Sequence, residues 1–257
     1  MPYRPAPGGT AGSDAISIAL NDIFLSFGNR ALFRDFSVSF TAGATSCLLG
    51  PSGVGKSTLL RIIAGLQPLP EGGQIVTSGP PLTGNIAYMA QDDLLLPWMT
   101  VAGNITLGAR LRGETVPGER LDAILCAVGL EDVADAHPAT LSGGMRQRTA
   151  LARTLIEDKP VILMDEPFSA VDALTRMRLQ DMTGALFAGR TVVLVTHDPI
   201  EALRLADQIH ILHGNPVQAA PVDIPPGTPV RDPGSREFQR CYAAILEQLG
   251  QGGKREP

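Results

Sequence analysis

The sequence predicts an α/β fold with a parallel core sheet, and three observations support this prediction. Short apolar runs that suit buried strands occur at Ser46–Leu49, Val161–Met164 and Val192–Val195. Stretches with helical spacing of apolar residues separate these runs. A glycine-rich loop directly follows the first run. Buried strands that alternate with helices are typical of parallel sheets with right-handed crossovers.

The remaining elements follow from local patterns. Alternating apolar residues predict half-buried strands at Ile16–Leu20 and Phe36–Phe40. A further strand is expected at Ile86–Met89 and a last strand at Ile209–Leu212. A helix is expected from Leu59 to Ala64, closed by Gly65. Residues 96–156 have a helical pattern. The proline-rich stretch 221–233 predicts a linker, and the spacing of Phe238, Tyr242, Ile245 and Leu249 predicts an amphipathic helix after it.

Composition restricts the classes of partner. The 257-residue chain has a formal net charge of −5. A general binder of nucleic acid or of anionic membranes needs a basic surface, so we expect no nucleic-acid partner. Cys47, Cys126 and Cys241 are far apart and lack metal-ligand spacing, which indicates reduced cytosolic thiols.

The N-terminal residues and the hydropathy of the sequence predict no membrane-targeting or membrane-spanning segment. Residues 1–13 are rich in proline and glycine and are expected to be disordered, and they resemble neither a signal peptide nor a transit helix. Nowhere does the sequence contain a run of about 18 apolar residues, the length that predicts a membrane span. Any link to a membrane is therefore expected to come through a partner.

The glycine-rich loop predicts a phosphate site. Its pattern is G-x-x-x-x-G-K-[ST], between an apolar strand and a helix. Converging backbone N–H groups and the helix N-terminus attract phosphate oxygens, Lys56 should reach the β- and γ-phosphates, and the Ser57 hydroxyl should ligate Mg²⁺. The alternative is a chance glycine-rich turn, which the strand–loop–helix context disfavours. The predicted site comprises Gly50, Pro51, Ser52, Gly53, Val54, Gly55, Lys56, Ser57 and Thr58.

Two carboxylates end the second buried run. Asp165 and Glu166 follow the apolar residues Val161–Met164. Ligands of parallel sheets bind at the carboxyl ends of strands, so Asp165 is expected to hold Mg²⁺ and Glu166 to polarise the attacking water. Taken alone, the pair would suit a solvated turn equally well. The phosphate loop earlier in the chain favours the catalytic interpretation.

Further motifs resemble those of ABC ATPases. The stretch Leu141-Ser142-Gly143-Gly144-Met145-Arg146-Gln147-Arg148 resembles the signature motif LSGGQ of that family, and it leads into a helix. Gln91 stands after a strand like the family's Q-loop glutamine, and His197 stands like its switch histidine. Ser169–Asp172 resembles the D-loop of that family. Phe27 precedes the phosphate loop at the position where the family has an aromatic residue that stacks on adenine. The resemblance covers about residues 14 to 215.

Each of these residues also has an ordinary interpretation. Phe27 alone would suit a core aromatic, Gln91 a loop residue, and His197 a surface or core imidazole. The signature stretch alone would suit a turn before an N-capped helix. Two residues depart from the family pattern, Met145 in place of glutamine and Val171 in place of leucine. The family's phosphate contacts come mainly from the serine and the glycine amides, so we expect function to survive.

The resemblance implies an architecture. The family fold is the P-loop NTPase core sheet with an N-terminal antiparallel β subdomain and an inserted helical subdomain, here about residues 92–156. The ATPase domain is expected at 14–215, followed by a linker and C-terminal helix at 216–257.

The resemblance also implies a mechanism that uses ATP and Mg²⁺. Two copies would form a head-to-tail dimer, with ATP between Lys56 of one chain and Ser142 and Gly144 of the other. The catalytic residues would be Lys56, Glu166 and His197, and the metal-binding residues would be Ser57, Gln91 and Asp165. Beyond the phosphate loop, the implied ATP-binding residues are Phe27, Gln91, Ser142, Gly143, Gly144 and Asp172.

The resemblance further implies a transport function. A single compact ATPase resembles the separate subunit of a bacterial importer, bound to membrane permease subunits at the cytoplasmic face of the inner membrane and served indirectly by a solute-binding protein. A soluble ABC ATPase acting on DNA or ribosomes, and an exporter ATPase with a separate membrane chain, are the alternatives. Three stretches resemble the sequences of importer ATPases of the nitrate/sulfonate/taurine group, namely residues 91–98, 165–172 and 196–203. Within that group, they resemble the subunits for hydroxymethylpyrimidine-type thiamine precursors.

The segment after Gln91 is a candidate docking site. Two carboxylates, Asp92 and Asp93, precede an apolar run that Pro97 prevents from forming a regular helix. The family position of this segment implies a groove for a short permease helix. In that case Leu95→Glu should uncouple hydrolysis from transport. The alternative is that these residues only pin the helical subdomain to the core.

Overall fold

A computed structural model describes residues 15–252. The predicted disordered segment 1–13 therefore lies outside the described residues. Contacts divide the chain into two compact units. The helical unit comprises Ala87–Lys159 and Glu166–Leu186, and the sheet unit comprises residues 15–86, Pro160–Asp165 and 187–252. The predicted domain limits at 14–215 and 216–257 stay a prediction.

The strands of the described residues form two sheets. They are β1 (Ile18–Phe27), β2 (Arg30–Phe40), β3 (Thr45–Leu49), β4 (Gln74–Thr77), β5 (Ile86–Met89), β6 (Val161–Asp165), β7 (Thr191–Thr196), β8 (Gln208–His213) and β9 (Gln218–Val222). The small antiparallel sheet has the order β2-β1-β4, and the large sheet has the order β5-β6-β7-β3-β8-β9.

The parallel strands β3, β6 and β7 are buried along their whole length, as the apolar runs predicted. Strand β7 pairs in parallel with both neighbours, so Leu49 lies opposite Thr196 and Asp165 lies opposite Val195. The carboxyl ends of the three strands therefore meet at one edge of the large sheet. This register places the phosphate loop, Asp165 and His197 at that edge.

The prediction that Ile209–Leu212 would form the last strand is wrong, because β9 follows it. Strand β9 pairs antiparallel with β8, with Ile211 opposite Ala220. Its sequence contains alanines and Pro221, which have low β-strand propensity, so no local pattern indicated a strand. Pro221 is tolerated because β9 lies at the edge of the sheet. The short strand β4 likewise had no alternating pattern long enough to predict it.

Residues 96–156 contain helices, as predicted, but the helices are short and interrupted. They are α2 (Val101–Ile105), α3 (Leu107–Leu111), α4 (Gly118–Val128) and α5 (Gly143–Leu155). Gly129 ends α4 in the left-handed conformation at φ 64, where glycine carries no steric penalty. Helix α6 (Ala173–Phe187) follows β6 along the chain.

The sheet unit also contains α1 (Lys56–Ile63), α7 (Pro199–Leu205) and the predicted C-terminal helix α8 (Arg236–Gly252). Phe238 and Ile245 of α8 are buried, which agrees with the apolar face in the sequence. Within residues 15–252, no helix combines the length and the apolar character needed to cross a membrane.

Candidate nucleotide-binding site

The loop between β3 and α1 requires glycine at two positions. Gly50 has φ 156, and a Cβ atom there would lie 2.5 Å from the backbone oxygen of Leu212. Gly55 has φ 108, and a Cβ atom there would lie 3.1 Å from the Phe33 ring. Side chains would therefore push the loop away from its neighbours. Glycine keeps the backbone N–H groups of the loop available to a ligand.

Lys56 is folded over this loop. Its side chain is only 5% exposed, and Nζ donates hydrogen bonds to the backbone oxygens of Gly50 at 2.8 Å and Pro51 at 2.9 Å. Helix α1 begins at Lys56 with no acidic residue in its first turn and no side-chain cap at Gly55. No residue in the first turn of the described helix α1 neutralises the partial positive charge at the start of the helix. The start of α1 therefore favours binding of an anion.

Asp165 and His197 follow neighbouring strands at the same sheet edge. Asp165, the last residue of β6, is 1% exposed, whereas His197 after β7 is exposed. The turn that carries His197 is held by local bonds. The Asp198 N–H donates to Thr196 Oγ1 at 3.0 Å, and Asp198 Oδ1 caps α7 by accepting from the Ile200 N–H at 2.9 Å. His197 is therefore presented to solvent from a well-defined turn.

Phe27 is not a core residue. It is 59% exposed at the end of β1, where it lies opposite Arg30. Exposing a large aromatic side chain is unfavourable without a partner, so this position is available for stacking against a flat ring. The core interpretation of Phe27 is wrong.

The sheet unit contains hydrogen-bond donors that suit a nucleotide phosphate and oxygen ligands that suit Mg²⁺. Glycine positions that reject a Cβ atom, the uncapped start of α1 and the Lys56 ammonium group together suit phosphate oxygens. The Ser57 hydroxyl and the Asp165 carboxylate are oxygen donors, which Mg²⁺ prefers. Across residues 15–252, no group of three or more His, Cys, Asp and Glu side chains is arranged for a metal. The predicted magnesium ligands need only one carboxylate.

The signature stretch starts helix α5 in the helical unit. Ser142 is the N-cap, and its Oγ accepts the Met145 N–H at 3.2 Å. The N-capping interpretation is therefore correct for this residue, and it does not exclude a ligand role. Ser142 and Gly143 are exposed, and the first turn of this described helix contains no acidic residue. The start of α5 thus presents a second uncompensated helix N-terminus.

Glu166 adopts an unusual backbone conformation, with φ 50. Left-handed φ values are uncommon outside glycine, and they cluster at functional sites. The backbone oxygen of Glu166 accepts hydrogen bonds from Gln147 Nε2 at 2.9 Å and Ser169 Oγ at 3.1 Å. The conformation is therefore held by neighbours within the helical unit.

Asp172 immediately precedes helix α6, at the end of the predicted D-loop. Its Oδ1 accepts the Thr175 N–H at 3.0 Å. The pKa of Asp172 is lowered, first by this backbone hydrogen bond and then by the Thr175 side chain. The carboxylate is exposed and ionised at neutral pH.

Gln91 is exposed, and the segment after it is hydrogen-bonded to α5. Arg153 donates to the backbone oxygens of Asp93 at 2.6 Å and Leu94 at 2.9 Å. Trp98 is nevertheless 73% exposed and Leu94 is 63% exposed. The interpretation that the segment only packs does not account for these two side chains.

Comparison with known proteins decides the family. The family model for ABC transporters matches residues 33–169. The aliphatic sulfonates import ATP-binding protein of Rhodopseudomonas palustris is 38% identical over 94% of this chain and 86% of its own length. The chain belongs to the ABC transporter family. The taurine import ATP-binding protein of Pseudomonas aeruginosa is 40% identical over 86% of this chain and 89% of its own length.

A solved structure agrees with the ABC fold. The dimeric structure of a post-hydrolysis state of the ATP-binding cassette MJ0796, bound to ADP and Pi, superposes with a TM-score of 0.69 at 29% identity. It covers 79% of this chain and 96% of that chain. The predictions of an ABC-type ATPase and of a resemblance to the nitrate/sulfonate/taurine group are confirmed. The finer assignment to hydroxymethylpyrimidine-type precursors stays a prediction.

The predicted ABC motifs are divided between the two units. The sheet unit contains Phe27, the loop Gly50–Thr58, Asp165 and His197, and the helical unit contains Gln91, Ser142–Gly144, Glu166 and Asp172. Sequence reasoning assigned no role to Gln147, the buried side chain that binds the Glu166 turn. Its sequence signal is its place within the signature stretch Leu141–Arg148, three residues after Gly144.

Proposed function

We propose that the chain is the ATP-binding and ATP-hydrolysing subunit of an ABC importer, which energises uptake of a small solute through a separate membrane permease. The observation that carries the proposal is the strand–loop–helix at Gly50–Thr58, with Lys56 buried over the loop and an uncapped helix start below it. The import function of the relatives supports the transport role.

The residues of the sheet unit bind the nucleotide. Loop N–H groups and the Lys56 ammonium group bind the phosphates, and Phe27 stacks on the adenine. Lys56 exchanges its two loop carbonyl acceptors for phosphate oxygens. Ser57 and Asp165 of this unit would hold Mg²⁺, which would supply positive charge to the transferring phosphoryl group. Gln91, the third predicted ligand, belongs to the helical unit.

Glu166 and His197 act at the reacting phosphate. The Glu166 carboxylate orients water and accepts its proton as the water attacks. His197 contacts the γ-phosphate from the turn capped by Asp198, so it reports whether that phosphate is present.

Two copies complete each nucleotide site. The exposed start of α5, with Ser142, Gly143 and Gly144, contacts the γ-phosphate of ATP held by the partner's phosphate loop. Asp172, exposed and ionised, lies at the same seam. ATP draws the dimer together because the phosphate charge is shared by both chains, and hydrolysis removes that bridge.

The permease contacts the segment after Gln91. Its exposed Leu94 and Trp98 offer apolar area to a short helix of the permease. The chain then acts at the cytoplasmic face of the inner membrane and indirectly serves a solute-binding protein. The sulfonate and taurine relatives favour a small sulfonate as the solute, which the ATPase itself does not touch.

Hydrolysis by the purified chain tests the proposal. Lys56→Ala should lower ATP turnover at least a hundredfold and weaken ATP binding, because Lys56 is the only basic residue in the loop sequence Gly50–Thr58. Lys159→Ala, outside the loop, is the matched control and should stay within twofold of wild type. Turnover of Lys56→Ala within tenfold of wild type contradicts the phosphate role. Co-purification from membranes, followed by identification of the permease, tests the importer role.

A further inference from the structure

Gln147 is a buried side chain whose amide is used at both ends. It is 5% exposed on α5, three residues after Gly144. Its Nε2 donates to the Glu166 backbone oxygen at 2.9 Å and to Ser169 Oγ at 3.1 Å. Its Oε1 accepts the Ala170 N–H at 2.7 Å. One side chain therefore connects the signature helix to both ends of the turn from Glu166 to Ala170.

This turn needs such support. Glu166 has a left-handed φ of 50, a conformation that persists only where surrounding contacts fix it. The direction of the Glu166 carboxylate depends on this backbone angle. The hydrogen bond from Gln147 fixes the peptide oxygen on the carboxyl side of Glu166, so it restrains the φ and ψ angles together at the residue that carries the carboxylate.

A second contact joins the same two segments. A Cβ atom on Gly144 would lie 3.2 Å from the backbone oxygen of Ala170. The first turn of α5 thus packs closely on the turn that Gln147 binds. A shift of the signature helix cannot leave the Glu166 turn undisturbed, because polar bonds and close packing both connect them.

We propose that Gln147 is a positioning residue that couples the two nucleotide sites of the dimer. The inference rests on the proposed function, in which Ser142–Gly144 contact the partner's ATP while Glu166 acts on the ATP of its own chain. Engagement of the signature by one nucleotide is then transmitted through Gln147 to the carboxylate that acts on the other. Gln147 itself touches neither nucleotide.

Two substitutions test the donor (Nε2) and acceptor (Oε1) functions of the Gln147 amide. Gln147→Met removes both functions at similar length, and Gln147→Glu keeps an acceptor for the Ala170 N–H but places a carboxylate against the Glu166 oxygen. Thr154→Val is the matched control. Thr154 is 4% exposed on the same helix, and its hydroxyl bonds only the Ala150 oxygen of that helix in the described structure.

ATP turnover and ATP affinity are measured for each variant of the full chain. Both Gln147 variants should lower kcat at least tenfold and leave KM for ATP within threefold, whereas the control should stay within twofold in both. A residue that only stabilises the fold would not produce this split. In the Glu166→Gln background, Gln147→Met should still form the ATP-dependent dimer. Loss of that dimer, or a kcat within twofold of wild type, overturns the inference.

Ser169→Ala gives a second approach if Gln147→Met fails to fold. Ser169 is exposed, and its hydroxyl joins Gln147 Nε2 to the Glu166 oxygen. Its loss should lower kcat by two- to fivefold at constant KM, and an unchanged kcat overturns the inference. A different result would show that the proposed function itself is wrong. In that case Glu166→Gln would hydrolyse ATP at the wild-type rate.

Discussion

Arg146 and Asp93 form an ion pair within the helical unit, with Nε 3.0 Å from Oδ2. Arg146 also donates through Nη1 to the Leu141 backbone oxygen at 2.9 Å. One guanidinium group therefore binds both the signature loop and the segment after Gln91. Under the proposed function, this pair joins the signature stretch to the segment that contacts the permease.

Asp93→Asn tests this connection. The change removes the charge but keeps an oxygen for the Leu95 N–H, which now donates to Asp93 Oδ1. Because both side chains are about a third exposed or more, the unfolding free energy should fall by less than about 1 kcal/mol. Stimulation of ATPase activity by the reconstituted permease should fall at least threefold. Glu114→Gln, which breaks the exposed pair with Arg112, is the control and should leave stimulation unchanged.

Glu166→Gln should retain ATP binding, stop turnover and accumulate an ATP-bound dimer. The amide cannot accept the proton of the attacking water, whereas Lys56 and the loop are unchanged. Sizing chromatography with ATP and Mg²⁺ measures the dimer, and phosphate release measures turnover. A variant that stays monomeric and still hydrolyses ATP would contradict both the catalytic and the dimer proposals.

The start of α5 should tolerate change at Met145 but not at Gly144. Met145→Gln should alter turnover by less than about tenfold, which is 1.4 kcal/mol in barrier. Gly144→Asp should abolish it, because even its Cβ would lie 3.2 Å from the Ala170 oxygen and its charge repels phosphate. Equal losses in the two variants would show that residue 145 itself meets the nucleotide.

Ser142→Ala should reduce both turnover and stability. The hydroxyl accepts the Met145 N–H as the helix cap, so its loss should cost about 1 kcal/mol of unfolding free energy. Turnover should fall further than this destabilisation explains if the hydroxyl also meets phosphate. Urea unfolding and ATPase assays on one preparation separate the two effects.

Trp98→Glu should prevent docking without unfolding the chain. Trp98 is 73% exposed, whereas Leu95 is half-buried, so the tryptophan gives a cleaner test than Leu95→Glu. ATPase activity in solution should persist while membrane association and transport fail. Leu111→Glu is the control, since Leu111 is 78% exposed on α3 of the same unit. Normal membrane association of Trp98→Glu would overturn the docking proposal.

Arg231→Met should destabilise the sheet unit. Arg231 is 7% exposed and donates to the backbone oxygens of Leu203, Ala206 and Gly227. Two of these oxygens belong to the end of α7, which would lose its charged capping group. The unfolding free energy should fall by about 2 kcal/mol or more. Urea unfolding measures it, with the exposed Arg240→Met of α8 expected to change it by less than about 0.5 kcal/mol.

Local sequence patterns predicted the buried strands and the phosphate loop because their signals are short-range. Three consecutive apolar residues before Gly50 and four before Asp165 indicate buried parallel strands from the local sequence alone. Strand β9 could not be predicted in this way. Its Gln-Ala-Ala-Pro-Val sequence becomes a strand only because the edge of β8 offers unpaired backbone groups.

The sequence by itself determined the motifs, their order and the chemistry of their side chains, since these depend on residue type and spacing along the chain. Tertiary structure decided which neighbours hold those motifs. The residues around Gln147 in the sequence do not indicate that its amide binds the Glu166 oxygen, 19 residues later. Nor do they indicate that Arg146 pairs with Asp93, which lies 53 residues earlier. Such contacts depend on how α5 packs against segments distant in sequence, and packing is a property of the whole folded unit.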